Sequence, residues 1–522
     1  MKHNIITSLK AMRFQSGIIS GVLGAALFLS GCTKNFEAIN KNPNGAQEVQ
    51  NPQFLLPAII KNSVRNYSYT SEFTASVAGD YYANQYTSGF DDAWTPGQVQ
   101  GGFLWNFFDQ LRDIENLRIL SHNKQFWNNE GIALVLKSWM FQTITDIFGD
   151  IPFSEALQGK TTGNFAPKFD SQEDIYYALI DSLKTANTLL ISGKDPINAD
   201  ILLSGNVMRW RMFANGLRLR LLLRISGKTG LKIDVGSEMN TMISDPSTYP
   251  LFGSYSDQAA LSYIEEQGNE FPAYYNNPIN DYHLSTTLES NLNRLSDPRI
   301  RYYAQPTPAS MISGIPAYGG VPNGIGTAES SYGGGTSNQS QVSPVLQPAS
   351  AFPQASKTAA QGILLTYSEV QFILAEARER GLISAGEASA YYLNGINDQF
   401  AYLASRLDIA NFNYPHTSDI EPSPSYFTQP DVAYTGTTEE KLYKIRIQKW
   451  FALFYNGFEG WSEWRRTGTP KETAPGPNSA INVWPRRSRY PLSEQTINSD
   501  NYQKALLVQG PDDLITPVWW NK

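Results

Sequence analysis

The chain contains one cysteine and four histidines in 522 residues, and it has no glycine fingerprint for a phosphate or a dinucleotide. Each shortage excludes something. A lone thiol permits no internal disulfide, so stability has to come from a large hydrophobic core. His3, His122, His283 and His416 are far apart, and neither a His-Glu-x-x-His helix nor a paired-cysteine pattern occurs, so no zinc site is expected. The Gly-Lys pairs at Gly159, Gly193 and Gly227 lack the glycine five residues earlier that a phosphate loop requires, because Ser154, Thr188 and Leu222 stand there. No Gly-x-Ser-x-Gly elbow or calcium loop is present. Carboxylates are plentiful, and nothing in the sequence singles out one pair as the acid and base of a glycosidase. No catalytic residue, metal or cofactor is expected. The net charge is −7, which disfavours nucleic acid as a partner.

What is present begins at the N-terminus. A basic start (Lys2, Lys10, Arg13) leads into an apolar run from Ile18 to Leu29 and then small residues, the three parts of an export signal. The run is too short to span a bilayer, which takes about 20 apolar residues. It ends in Leu29-Ser30-Gly31-Cys32, which resembles the lipobox of bacterial lipoproteins, where the thiol is acylated (palmitate-type chains) and becomes the first mature residue. Two or three acyl chains there give the two-signal strength of a stable anchor. Cleavage removes the three basic residues, so 41 less three against 48 acidic residues gives a mature charge of −10. The expected organisation is a signal peptide at 1–31, a lipid-anchored tether at 32–52, rich in Asn, Lys, Gln and Pro, and one folded domain at 53–522. No other apolar segment approaches spanning length, so that domain is expected to be soluble outside the cytoplasm.

Apolar residues recur at helical spacing from Glu130 to Phe148, with Gly149 and Pro152 as stops, and again from Asn206 to Ser226. Gln172 to Leu190 and Glu439 to Tyr455 complete the evident set. Thr366 with Glu369, Ser384 with Glu387, and Thr437 with Glu440 each fit a capping box. The first two frame a helical hairpin broken at Gly381 to Ile383. Such hairpins predict an all-α fold, a tetratricopeptide-like stack of helix pairs, although no clean repeat near 34 residues is found. Long irregular loops are expected from Tyr249 to Gln361 and from Asn411 to Thr435, both rich in Pro and Tyr.

Five arginines on one helix, Arg209, Arg211, Arg218, Arg220 and Arg224, offer an anion site, but such residues more often pair with neighbouring acids or pack their stems on the core. The same holds for Arg486, Arg487 and Arg489. Aromatics are the better lead, because sugars present apolar C–H faces and hydroxyl rims that suit flat rings flanked by Asp, Asn or Arg. Trp94 ranks first, in a loop beside Tyr81, Tyr82 and Asp92. Tyr282, Tyr318 and Tyr332 of the long middle loop follow.

The C-terminal part is more specific. Leu442 to Pro470 reads LYKIRIQKWFALFYNGFEGWSEWRRTGTP, followed by Trp484-Pro485-Arg486-Arg487 and Arg489-Tyr490-Pro491, with Asn498 and Asn501 beyond. This resembles the SusD/RagB family of outer-membrane lipoproteins. The stretches from Asn35 to Asn44, Asp146 to Phe153 and Thr366 to Phe372 extend the resemblance over nearly the whole mature chain. It implies four tetratricopeptide-like helix pairs with the ligand site on irregular loops. It also implies a non-catalytic lipoprotein on the outer face of the outer membrane, which captures an oligosaccharide, or a peptide in the RagB branch, and passes it to a SusC-like TonB-dependent barrel. Some members place a stacking aromatic where Trp94 lies. Glycan binding and delivery is the leading expectation, with oligopeptide import, surface glycoside hydrolysis and a pure scaffold as the others.

Overall fold

Capping chemistry and apolar spacing decide where the long helices begin and end. The computed structural model describes residues 51–84, 92, 94, 101–272, 282–346, 358–410, 415–470, 475–477 and 479–522. Cys32, the signal and most of the tether lie outside them. Residues Pro52–Lys522 form one unit. Its main helices are α1 (Leu56–Thr70), α2 (Phe107–Asn123), α3 (Trp127–Phe148), α4 (Gln172–Ser192), α5 (Val207–Ile225), α6 (Thr286–Arg294), α7 (Tyr367–Glu379), α8 (Ala388–Ala410), α9 (Thr438–Ala452), α10 (Gly457–Thr467) and α11 (Ser499–Gln509). Helix α3 packs against α2 and α4, α4 against α5, and α7 against α8 and α9, which is the expected stack of helix pairs.

The caps show which sequence signals act as read. Asn206 caps α5 through its side chain. Thr437 and Glu440 form the full reciprocal box at α9. At α7, Thr366 accepts the Glu369 amide, but the Glu369 carboxylate has gone to Arg220, with two oxygens at 2.7 Å from Nε and Nη2. The third box is absent. Ser384 bonds Asn240 at both its amide and hydroxyl, and α8 starts later, at Ala388.

Three two-stranded antiparallel ladders interrupt the helical body: β1 (Tyr82–Asn84) with β5 (Tyr282–Leu284), β2 (Ile151–Pro152) with β3 (Phe169–Asp170), and β4 (Ala259–Ser262) with β6 (Gln361–Leu365). The segment 249–361 is thus less irregular than its composition suggests. Ser285 caps α6 by accepting the Leu288 amide, and Thr307 with Pro308 starts the short helix Pro308–Ser313. Local hydroxyl caps override a Pro- and Gly-rich background.

Four of the five arginines of α5 do structural work. Arg220 and Arg224 share Glu459, and Arg224 also reaches Asp146 at 2.8 Å, so α5 is tied to α3, α7 and α10 beneath the core. Arg218 pairs with Glu238, and Arg211 donates to Asn187 and to the Ser247 and Thr248 carbonyls. The Trp-Arg-Arg-Thr-Gly stretch is also structural. Arg465 stacks 3.9 Å from the centroid of Trp461 and donates to the Asp146 and Arg486 carbonyls, while Arg466 grips Glu376 and Glu463. Gly468 takes the left-handed conformation that ends α10. Arg487 is buried beside Asp512, Arg486 covers Trp464, and Arg489 donates to the Asp512 carbonyl.

Candidate functional site

The aromatic candidates separate into buried and exposed groups. Tyr81 stacks on Trp450 at 4.6 Å and 14°, donates to the Trp450 carbonyl at 2.7 Å, and is closed over by Gly460, where a Cβ would lie 2.4 Å from the ring. Tyr82 donates to the Glu72 carboxyl and meets Tyr282 and Phe454 edge-on. Tyr282 pairs opposite Asn84 in the β1–β5 ladder and donates to the Phe73 carbonyl at 2.9 Å. Asp92 is buried near Asp80. Trp94 is 5% exposed, packed edge-on against Trp484 beside a void of about 30 Å³, far too small for a sugar ring.

The structure therefore corrects the expectation for these five: Tyr81, Tyr82, Asp92, Tyr282 and Trp94 face the interior. The reason is the pairing of β1 with β5, about 200 residues apart in sequence, which folds both aromatic clusters onto α9 and α10. Tyr86, Phe90 and Pro96 lie outside the described residues. Burial also sets the local ionisation. It pushes the Glu72 carboxyl up to about 8, against the Tyr82 hydrogen bond, and Asp80 up to about 7, so both hold protons near neutrality. Burial lowers His283 to about 4, leaving a neutral imidazole.

Tyr318 and Tyr332 remain at the surface, and Tyr332 is 40% exposed. Tyr318, half-buried, forms one wall of a cleft of about 770 Å³, within the range of small-molecule sites. Asn293 at the end of α6, Asp297 in the turn after it, Arg301 of the short helix Ile300–Tyr303, and Ser418 and Asp419 also line it. Arg301 donates through Nη1 to the Asp419 carbonyl, which fixes its head. Asp297 is held by Arg299 at 3.0 and 2.6 Å and by the Tyr426 hydroxyl at 2.7 Å, and Arg299 is sandwiched 4.9 and 5.0 Å from the rings of Phe400 and Phe451. The result is a fixed polar base, one aromatic wall, and an amide, a guanidinium and hydroxyls at the edge. That arrangement can hold a polyol by stacking and hydrogen bonds.

Of the residues that line this cleft, the sequence singles out Tyr318 and not Asn293, Arg301 or Ser418. The available signal was Ser296-Asp297-Pro298-Arg299, a turn in which Ser296 adopts φ +49°. Among the described residues, no group of three or more His, Cys, Asp or Glu is placed to hold a metal ion. No helix among them is long and apolar enough to cross a membrane.

A model of the SusD-like family, described as starch-binding and associating with the outer membrane, matches residues 43–491. A SusD homolog from Bacteroides fragilis NCTC 9343 superposes with a TM-score of 0.77 at 26% identity, covering 91% of this chain and 100% of that one. A chitin-binding SusD homolog from Flavobacterium johnsoniae shares the fold with a TM-score of 0.72 at 22% identity, over 90% of this chain and 98% of that one. No curated protein matches the sequence. With helix pairs, capped loops and family match in agreement, the chain belongs to the SusD-like family of starch-binding proteins that associate with the outer membrane.

Proposed function

We propose that this protein is a non-catalytic lipoprotein, anchored in the outer membrane through acylated Cys32 and facing the exterior. It binds an oligosaccharide in the cleft at Tyr318 and delivers it to a SusC-like TonB-dependent transporter. The observation that carries the reading is the cleft itself, whose single aromatic wall and polar rim suit the two faces of a sugar, in a chain of this family. Tyr332, in the neighbouring loop, is the second aromatic available to a longer glycan. A relative that binds chitin makes chitin oligosaccharides the first ligands to try, with starch fragments next. Isothermal titration against such a panel is the test. The expected result is binding that weakens in Tyr318→Ala; a protein that binds none of the panel contradicts the reading.

One observation favours a second reading. Met311, Ile312 and Ile315 are 54%, 90% and 74% exposed on and just after the helix Pro308–Ser313, and Ile315 lines the cleft. Such an apolar lip suits the side chains of an extended peptide. Binding of a peptide library without any glycan binding would select oligopeptide import instead. The transporter partnership has its own measurement: extraction in mild detergent should co-purify a large barrel protein.

A further inference from the structure

Arg209 is the one arginine of α5 whose only partners among the described residues are backbone carbonyls. Its Nε and Nη2 reach only the Asp257 and Gln258 carbonyls, at 3.4 and 3.3 Å, and it forms no ion pair among the described residues. A second arginine, Arg406 of α8, opens onto the same cavity. It is 8% exposed, and its Nε and Nη2 also go to carbonyls, those of Ala359 at 2.5 Å and Thr358 at 2.7 Å. Both guanidinium groups thus spend one edge on backbone carbonyls and leave Nη1 without an acceptor among the described residues. Neither forms an ion pair among the described residues, and both line the same cavity.

The cavity measures about 290 Å³ and lies between the start of α5, the β4–β6 ladder and α8. That is the small end of ligand sites, which run from roughly 300 Å³, and suits one ring better than a chain. Gln258 supplies an independent sign of a missing ligand. It is 4% exposed, lines the cavity, and its side-chain carbonyl oxygen has no donor. A buried acceptor left unsatisfied costs free energy that a ligand hydroxyl would recover. Gln361 bonds the Ser262 hydroxyl at 2.8 Å across the ladder, and the rings of Tyr255 and Tyr402, 6.2 Å apart, form one side. Asp257 and Asp398 form no ion pair with either arginine among the described residues. Asp257 accepts the Gly253 amide, and Asp398 accepts the Tyr255 amide at 2.9 Å.

We infer that this cavity is a second ligand site, separate from the cleft at Tyr318, and that it takes a single acidic sugar unit of the hexuronate class. The carboxylate meets Nη1 of Arg209 and of Arg406, one charge-assisted hydrogen bond from each guanidinium. A ring hydroxyl donates to Gln258, and the tyrosine side covers a C–H face. Neither an anion without hydroxyls nor a neutral sugar satisfies both halves of this lining.

The test is a titration of the full-length mature chain with D-glucuronate, D-glucose and inorganic sulfate, read by isothermal titration calorimetry. Glucuronate should bind about tenfold or more tightly than either comparator, and less tightly as salt is raised. Arg209→Met and Gln258→Leu should each weaken it about tenfold, with the unfolding midpoint measured alongside to separate lost binding from lost fold. Arg406→Lys keeps the buried charge if Arg406→Met fails to fold, and should also weaken binding. Equal binding of glucose or of sulfate, undetectable glucuronate, or wild-type affinity in Arg209→Met overturns the proposal. Tyr318→Ala should leave glucuronate binding unchanged while it weakens the oligosaccharide, so the two sites fail separately.

Discussion

Replacing Arg466 by Met tests whether the Trp-Arg-Arg-Thr-Gly stretch acts as a fastener. The guanidinium reaches Glu376 at 2.9 and 2.6 Å and Glu463 at 2.6 Å, and all three side chains are at most 8% exposed. Methionine is close in volume, so little cavity cost arises; the loss comes from two buried carboxylates deprived of a partner. Removing one member of a buried pair typically costs about 3–5 kcal/mol. Glu376 keeps Arg446 at 3.1 Å and Arg380 at 3.4 Å, and Glu463 keeps Lys449 at 2.9 Å, so the lower end, about 3 kcal/mol, is expected. The pH dependence follows from ionisation. Burial alone would raise both carboxyls; against it, Arg466 with its neighbouring cations holds Glu463 down to about 2 and Glu376 well below the usual range. Depressed carboxyls stabilise above their unfolded value near 4.5 and lose that contribution as pH falls. The variant's deficit should therefore be largest at pH 7 and shrink in acid, once the abandoned carboxylates take up protons. Urea unfolding of both proteins at several pH values measures it. A deficit under about 1 kcal/mol at pH 7, or one that does not shrink in acid, would refute the fastener reasoning. In a cycle with Glu376→Gln, the double variant should lose less than the sum of the singles.

Glu72 gives a pH effect of opposite sign. Its folded value is raised from 4.5 to about 8, so its contribution is present below 4.5 and fades as pH rises to about 8, at about 1.4 kcal/mol per unit before solvent relaxation. Glu72→Gln should flatten that limb of a stability-versus-pH curve, and an unchanged slope would count against it. His283, lowered from 6.5 to about 4, destabilises the fold as pH falls through that window, and His283→Gln should remove this loss in the same measurement. Thr437→Ala deletes the acceptor half of the α9 box and should cost about 1 kcal/mol in urea unfolding. Trp94→Phe should leave oligosaccharide affinity unchanged, since the indole faces Trp484; a tenfold loss in titration would return Trp94 to the binding surface.

Features read from neighbours in sequence were legible. The spans of α3, α4 and α5 follow apolar spacing, and the Asn206 and Thr437 caps follow from side chains three residues from their amides. Features set by distant partners were not. Glu369 looked like the second half of a cap because nothing local reveals Arg220, 149 residues away. Tyr81 and Tyr82 looked like a sugar platform because their cover comes from Trp450 and Phe454, which only the tertiary fold brings over them. Tyr318 was legible as an aromatic in a polar loop, whereas its companions Asn293 and Arg301 come from helices whose existence was masked by proline and glycine around them. Arg209 shows the converse. It shared a pattern with four structural arginines, and only its restriction to backbone carbonyl partners sets it apart.

The central claim is that the cleft at Tyr318 binds a glycan. Titration of chitin- and starch-derived oligosaccharides into the wild-type protein and Tyr318→Ala tests it most directly. Saturable binding by at least one series, weakened about fivefold or more in a variant with the wild-type unfolding midpoint, is the predicted result, as loss of a stacking ring is worth about 1 kcal/mol. Absence of binding by every oligosaccharide, or equal affinity in the two proteins, would contradict it.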